Sequence, residues 1–252
     1  MRFRKIFALL LVSALAFSCE NDAQMSLQGG TGQAGSMTRF AISGHYLYLA
    51  GNSTIKVFNI GQGEFVLVRE VSTPPGMETI FTKGDYLYLG ANDGMYIYSI
   101  ADPIKPSFIF RYEHVVACDP VVVQENRAYV TIRSDGGCIW GNRNVNALEI
   151  IDISDPYLPV VIRSYPMISP YGLGIDGTTL FLCEGESGFK VFDVTNELDI
   201  VLIEHRRDFF AYDVIPRQGV ATVTGQDGIF QFSYGGTKGL TFLSKIAVSF
   251  NE

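Results

Sequence analysis

The segment Ala147-Leu148-Glu149-Ile150-Ile151-Asp152-Ile153-Ser154-Asp155-Pro156-Tyr157-Leu158-Pro159 decides the fold. It reads as a β-strand closed by a polar turn, because apolar residues dominate as far as Ile153 and Ser-Asp-Pro then supplies turn chemistry. The same phrase recurs, with substitutions, at Ile55 to Ile60, Met95 to Ile100, Phe189 to Val194 and, most degraded, Ile229 to Tyr234. With Val57, Ile97, Ile150, Val191 and Gln231 as equivalent positions, the spacings are 40, 53, 41 and 40 residues. A period near forty with one enlarged interval is the signature of a repeat architecture.

Each unit divides into four short strands. In the second they are Glu78 to Thr82, Tyr86 to Gly90, Met95 to Ile100 and Ser107 to Tyr112, separated by Lys83-Gly84-Asp85, Asn92-Asp93-Gly94 and Asp102-Pro103. These separators are tight-turn chemistry. Five such units without a helical period predict an all-β fold, a β-propeller of five four-stranded blades over residues 37–252. Radial repetition spares a long all-β chain exposed sheet edges. A β-sandwich needs no forty-residue period, and a β-helix has shorter rungs.

Composition allows this in one domain: 252 residues, 47% hydrophobic and 13% aromatic, can bury a full core. Residues 1–18 carry Arg2, Arg4 and Lys5 and then an apolar run, the layout of a secretory signal peptide. Removing it leaves 16 of the 19 basic residues against 26 acidic ones, a charge near −10. Nucleic acid is therefore not an expected partner, since phosphate recognition needs clustered Lys and Arg. Residues 19–36 are polar and rich in glycine and read as a flexible tether.

Three resemblances follow from these residues. Ala16-Phe17-Ser18-Cys19 is similar to the lipobox of bacterial lipoproteins, which implies lipidation of Cys19 and a membrane contact through that anchor. Glu20-Asn21-Asp22 resembles an export signal of some Gram-negative lipoproteins, so the expected address is the bacterial cell envelope at the outer membrane, on either face. The repeat itself resembles the bacterial LVIVD repeat, carried by Leu148 to Pro159, Gly188 to Thr195, Asn92 to Pro106 and, for the second strand, Gly44 to Leu49 and Gly84 to Leu89. That resemblance implies a propeller in an extracytoplasmic setting and brings no catalytic residue. The first unit departs from it with Gly61-Gln62-Gly63, the fourth with Asn196-Glu197-Leu198, and the fifth lacks the Asp.

In an up-and-down blade, the entry to the first strand and the turn between the second and third strands lie on one side, rimming the channel. This rim is the expected binding face. Glu78, Asp119, Tyr171, Tyr212 and Asp213 reach it from the entries. The enlarged interval falls there too, in Arg133 to Asn146, and holds Trp140, the only tryptophan, between Arg133 and Arg143. Inserted loops often build a binding face, and Trp and Arg are frequent anchors. Trp140 is read either as part of a recognition surface or as a plug folded over the channel mouth.

Chemistry is sparser. Cys118, Cys138 and Cys183 map to the rim; Cys118 and Cys138 could pair in an oxidising compartment, or all three remain buried thiols. His45, His114 and His205 show no metal-ligand spacing, and neither a metal nor another cofactor is expected. Glu78, Asp119 and Asp213 come from three blades and could converge as acid and base or stay solvated rim charges. Asp152, Asp193 and Asn59 read as turn stabilisers, and Tyr46, Tyr48, Tyr86, Tyr88 and Tyr129 as packing between blades. The expectation is a binding module for an envelope protein or glycan. Its rival is a propeller hydrolase or lyase acting on glycans through rim carboxylates. Convergence of the three carboxylates in one pocket would favour the enzyme, and an aromatic rim the binding module.

Overall fold

The alternation within each unit becomes a four-stranded antiparallel sheet, and the computed structural model, which describes residues 35–113, 120–134, 145–236 and 239–248, contains five of them. Blade one is β1 (Phe40–Ser43), β2 (Tyr46–Ala50), β3 (Thr54–Asn59) and β4 (Val66–Ser72). Blade two is β5 (Met77–Lys83), β6 (Tyr86–Ala91), β7 (Gly94–Ser99) and β8 (Ser107–Glu113). Blade three is β9 (Val121–Gln124), β10 (Arg127–Ile132), β11 (Ala147–Asp152) and β12 (Val160–Pro166). Blade four is β13 (Leu173–Asp176), β14 (Thr179–Cys183), β15 (Phe189–Asp193) and β16 (Val201–Arg206). Blade five is β17 (Ala211–Arg217), β18 (Val220–Gly225), β19 (Gly228–Gly236) and β20 (Gly239–Ala247). Every blade is four consecutive strands paired in chain order, so no strand is exchanged between the chain ends.

Local chemistry fixes the corners. The two-residue turn after each innermost strand needs a left-handed residue: Gly44, Gly84 and Gly177 supply it in blades one, two and four, and Glu125 (φ 49°) and Gln218 (φ 51°) hold the same conformation in blades three and five. The repeat's polar residue closes the third strand, with Asn59, Asp152 and Asp193 accepting hydrogen bonds from the amides of Gly61, Ser154 and Thr195 at 2.8 to 2.9 Å. Asp102, Asp155 and Asn196 repeat the device a few residues later. All six are turn residues, and the bond to Ser154 holds the Asp152 carboxyl below the usual carboxylate range.

The repeat also contains a bulge invisible to simple alternation. Pairing of the third with the fourth strand shifts at Val57/Phe58, Ile97/Tyr98, Ile150/Ile151, Val191/Phe192 and Gln231/Phe232, the positions that define the sequence period. The skipped residue on the outer strand is always aliphatic: Val68, Ile109, Ile162, Ile203 or Leu243. One extra residue flips strand parity and adds twist. Runs such as Val66-Leu67-Val68 follow from that, and they leave the outer strands with exposed apolar side chains.

Four apolar clusters hold successive blades together. Tyr48, Ile55 and Val57 meet Ile80, Leu89 and Tyr96 between blades one and two; Met95 and Ile97 meet Val123 and Val130 between two and three. Ile150 and Tyr129 meet Leu180 and Phe192 between three and four, and Phe181 and Phe189 meet Phe230 and Phe232 between four and five. As the repeat predicts, Tyr48, Tyr88 and Tyr129 are buried packing residues. Among the described residues no comparable cluster joins blade five to blade one. Blade one turns Ile42, Leu47, Leu49 and Phe58 toward that seam half-buried, while the free face of blade five is mixed, with Thr222, Thr224, Gln231 and Ser233 beside Val220 and Ile229.

The seam is bridged by polar contacts from residues that precede β1. The Ser36 hydroxyl donates to Asp213 Oδ1 of β17 at 2.9 Å and accepts from the Leu173 amide of β13 at 2.8 Å, while the Met37 amide donates to Asp213 Oδ2 at 3.3 Å. The Thr38 carbonyl then accepts from Ile80 of β5 at 3.0 Å. Gly35 and Gly172 leave room for the carboxylate, since a Cβ on either would stand 2.1 Å from an Asp213 oxygen. Gly35 and Ser36, at the end of the expected tether, are thus buried parts of the ring.

Candidate functional site

The innermost strands β1, β5, β9, β13 and β17 surround one channel. At the end away from the strand entries it widens to a cavity of about 300 Å³, walled by Ala41, Ile80, Val122, Leu173 and Val214 with Lys83 at its edge. At the entry end lies a smaller pocket of about 220 Å³, lined by Met37, Arg39, Glu78, Thr79, Pro120, Arg133, Pro170 and Tyr171. Three residues singled out from sequence, Glu78, Arg133 and Tyr171, therefore meet in one pocket, each from a different blade.

Two site residues are presented by bulges. Pairing of β5 with β6 skips Glu78 between Met77 and Thr79, and pairing of β17 with β18 skips Tyr212 between Ala211 and Asp213. A residue freed from the ladder in this way is re-aimed, a device common beside binding and active sites. Burial raises the Glu78 carboxyl above its ordinary value, with Arg39 and Arg133 pulling the other way. No described residue donates a hydrogen bond to it.

Tyr171 is fixed through its backbone, its carbonyl accepting from the Thr131 hydroxyl at 2.7 Å and its amide donating to Cys183 at 2.7 Å. The Arg133 guanidinium lies 3.8 Å above the Tyr171 ring, close enough for a cation–π contact. The ring edge meets Phe210 at 5.6 Å and Tyr212 at 5.9 Å, and Phe210 and Tyr212 are 4.5 Å apart. Tyr212 keeps 37% of its surface exposed. Among the described residues the mouth thus combines the guanidiniums of Arg39 and Arg133, the carboxylate of Glu78 and an aromatic shelf.

Asp213 has another position. Its oxygens are occupied by Ser36, Met37 and the Val214 amide, and burial pushes its carboxyl up to about 6 despite those donors. Glu78 and Asp213 do not share a pocket. Trp140, Arg143, Asp119, Cys19, Cys118 and Cys138 lie outside the described residues. Cys183 is a buried free thiol whose burial raises its pKa well above the ordinary value. Glu184, in a rim turn, is fully buried, accepting from Ile168 at 2.9 Å and pairing with Lys190 at 2.5 Å. Among the described residues no three His, Cys, Asp or Glu side chains gather as a metal site.

Arg39 and Phe210 were not visible as site residues. Arg39 precedes the first strand of a unit with a degraded repeat, and Phe210 sits beside the core residue Phe209 in an aromatic run that reads as packing. That run, Phe209-Phe210-Ala211-Tyr212, was the available signal.

Five four-stranded sheets around a channel with a lined mouth define a β-propeller. A family model for the LVIVD repeat matches residues 78–114 and 143–166. The chain is a β-propeller that carries the LVIVD repeat over those residues. No curated protein matches it significantly. Its fold is similar to that of a functionally unknown protein from Desulfotomaculum acetoxidans, at TM-score 0.66 and 11% identity, covering 81% of this chain and 66% of that one. It is similar to the periplasmic gluconolactonase PpgL of Pseudomonas aeruginosa, at TM-score 0.62 and 14% identity, covering 81% of this chain and 68% of that one. Hsv2p of Kluyveromyces lactis gives TM-score 0.55 at 12% identity, covering 82% of this chain and 61% of that one. The chain spans less than two thirds of the first and last of these, and at such identities the likeness concerns the fold alone.

Proposed function

We propose that this propeller is a binding module of the bacterial envelope, anchored through lipidated Cys19 after removal of residues 1–18, and that it takes a glycan or protein ligand at the channel mouth. The observation that carries this reading is the convergence of Glu78, Arg133 and Tyr171 in one pocket beside an aromatic shelf. Concave sites with an apolar surface and a few convergent polar groups are the ordinary form of a ligand site. The enzyme reading needs a second carboxylate within reach of Glu78; Asp213 is committed to the entry segment, which leaves Asp119, next to the pocket residue Pro120, as its candidate.

The test is capture of envelope glycans and proteins by the full chain, compared with Arg39→Gln and Trp140→Ala variants. Loss with Arg39→Gln places binding at the mouth. Loss with Trp140→Ala alone moves it to the inserted loop, and capture unchanged in both overturns a rim site. For the anchor, Cys19→Ala is expected to move the protein from the membrane fraction to the soluble one.

A further inference from the structure

The chemistry of the mouth is selective in a way that names a ligand class. The chain as a whole is acidic, at a formal −7, yet this pocket brings Arg39 and Arg133 together. Arg133 is held over Tyr171, so its charge is fixed in place. A guanidinium pairs a carboxylate through a planar fork of donors. Glu78 opposes any simple anion reading, since its carboxylate lines the same wall and repels a dense polyanion such as sulfate or phosphate. The same half-buried carboxylate accepts no hydrogen bond from a described residue, so a ligand that donates hydroxyl hydrogens satisfies it. Tyr212 and Phe210 offer an apolar shelf beside these groups. A volume of about 220 Å³ suits one sugar ring rather than an extended chain.

We propose that the mouth binds a carboxylate-bearing sugar, a uronate ring either free or at the end of an acidic glycan. The ring carboxylate pairs with Arg39 in the field of Arg133, neighbouring hydroxyls donate to Glu78, and the ring's C–H face lies on Tyr212. Rejection of sulfate and phosphate by Glu78 is part of the specificity, a repulsive element set beside the attractive ones. The inference rests on the mouth being the binding site.

The experiment titrates the full chain with glucuronate and galacturonate, with glucose, acetate, sulfate and an N-acetylated dipeptide as competitors, read by calorimetry or saturation-transfer NMR. A uronate is expected to saturate the site and to bind at least about tenfold more tightly than glucose or acetate, the scale of one hydrogen-bonded charge pair. Arg39→Gln should weaken uronate binding by a similar factor while leaving the thermal transition in place, because Arg39 is exposed. Glu78→Gln should erode the discrimination against sulfate. Equal binding of glucose and glucuronate, tighter binding of the dipeptide, or uronate binding indifferent to Arg39→Gln overturns the proposal. If uronates fail while envelope material is still captured in an Arg39-dependent way, the ligand class falls and the binding-module reading stands. If capture fails as well, both fall.

Discussion

The seam between blades four and five and the seam between blades five and one are built by different physics. In the first, Phe189, Phe209, Phe230 and Phe232 stack with ring centroids 4.2 to 6.5 Å apart, a dry interface whose energy scales with buried area. In the second, the apolar face of blade one is turned toward a mixed face of Thr, Gln, Ser, Val220 and Ile229, and the described bonds across the join centre on Asp213. A repeat protein gains most of its stability from interfaces between like neighbours. The two terminal units lack that likeness, and the ring depends there on residues outside the repeat.

The largest expected effect lies in the aromatic seam. Phe232→Ala should cost about 3 to 5 kcal/mol in urea unfolding, the range for an aromatic deleted from a close-packed core. Next comes Asp213→Ala, with an expected loss of about 1 to 3 kcal/mol from orphaned buried donors. Its signature is faster hydrogen exchange at Met37, Val214 and Leu173 while the other four seams keep their protection. The pH dependence has a definite sign. With a folded pKa of about 6 against an ordinary 3.8, the native state holds the Asp213 proton more tightly, so this group's contribution to stability falls as pH rises from about 4 to about 6. Asp213→Asn should flatten the urea midpoint across that window, and an unchanged slope would show that the carboxyl is not buried in solution.

Phe58→Ala, on blade one's half-buried face, should cost at most about 1.5 kcal/mol, because partly exposed side chains lose less on truncation. A cost equal to that of Phe232→Ala would show that the fifth seam closes as tightly as the fourth. The smallest effect should come from Thr222→Val, which adds apolar surface opposite blade one and is expected to stabilise by about 0.5 kcal/mol if the two faces touch. A destabilising Thr222→Val would mean that water fills that seam.

Most of the architecture was legible because one residue pattern repeats. The period located all five blades, and the four strands read from alternation in the second unit fall within a residue of the ends of β5 to β8. The bulges were not legible, because an aliphatic residue such as Ile162 or Ile203 looks like one more core position whether or not it is skipped by its partner. The same blindness touched the site. Glu78 and Tyr212 could be placed at strand entries, but nothing in sequence marks them as the unpaired residues of two bulges. Asp213 could be placed at a strand entry, yet its partner Ser36 lies in a glycine-rich stretch that reads as tether, and only the folded ring brings residues 177 positions apart into contact.

The Asp213 clasp also fixes how the domain would respond to mechanical load. Tension applied through the N-terminal end enters the fold at Ser36 and Met37, not along the edge of a sheet. The first bonds to yield would be the three contacts to Asp213 and Leu173, after which the pull passes to the Thr38–Ile80 bond and to β1. Blade one would be drawn away from blade five before any sheet lost a strand, so the domain has a low-force release point placed ahead of its high-force core.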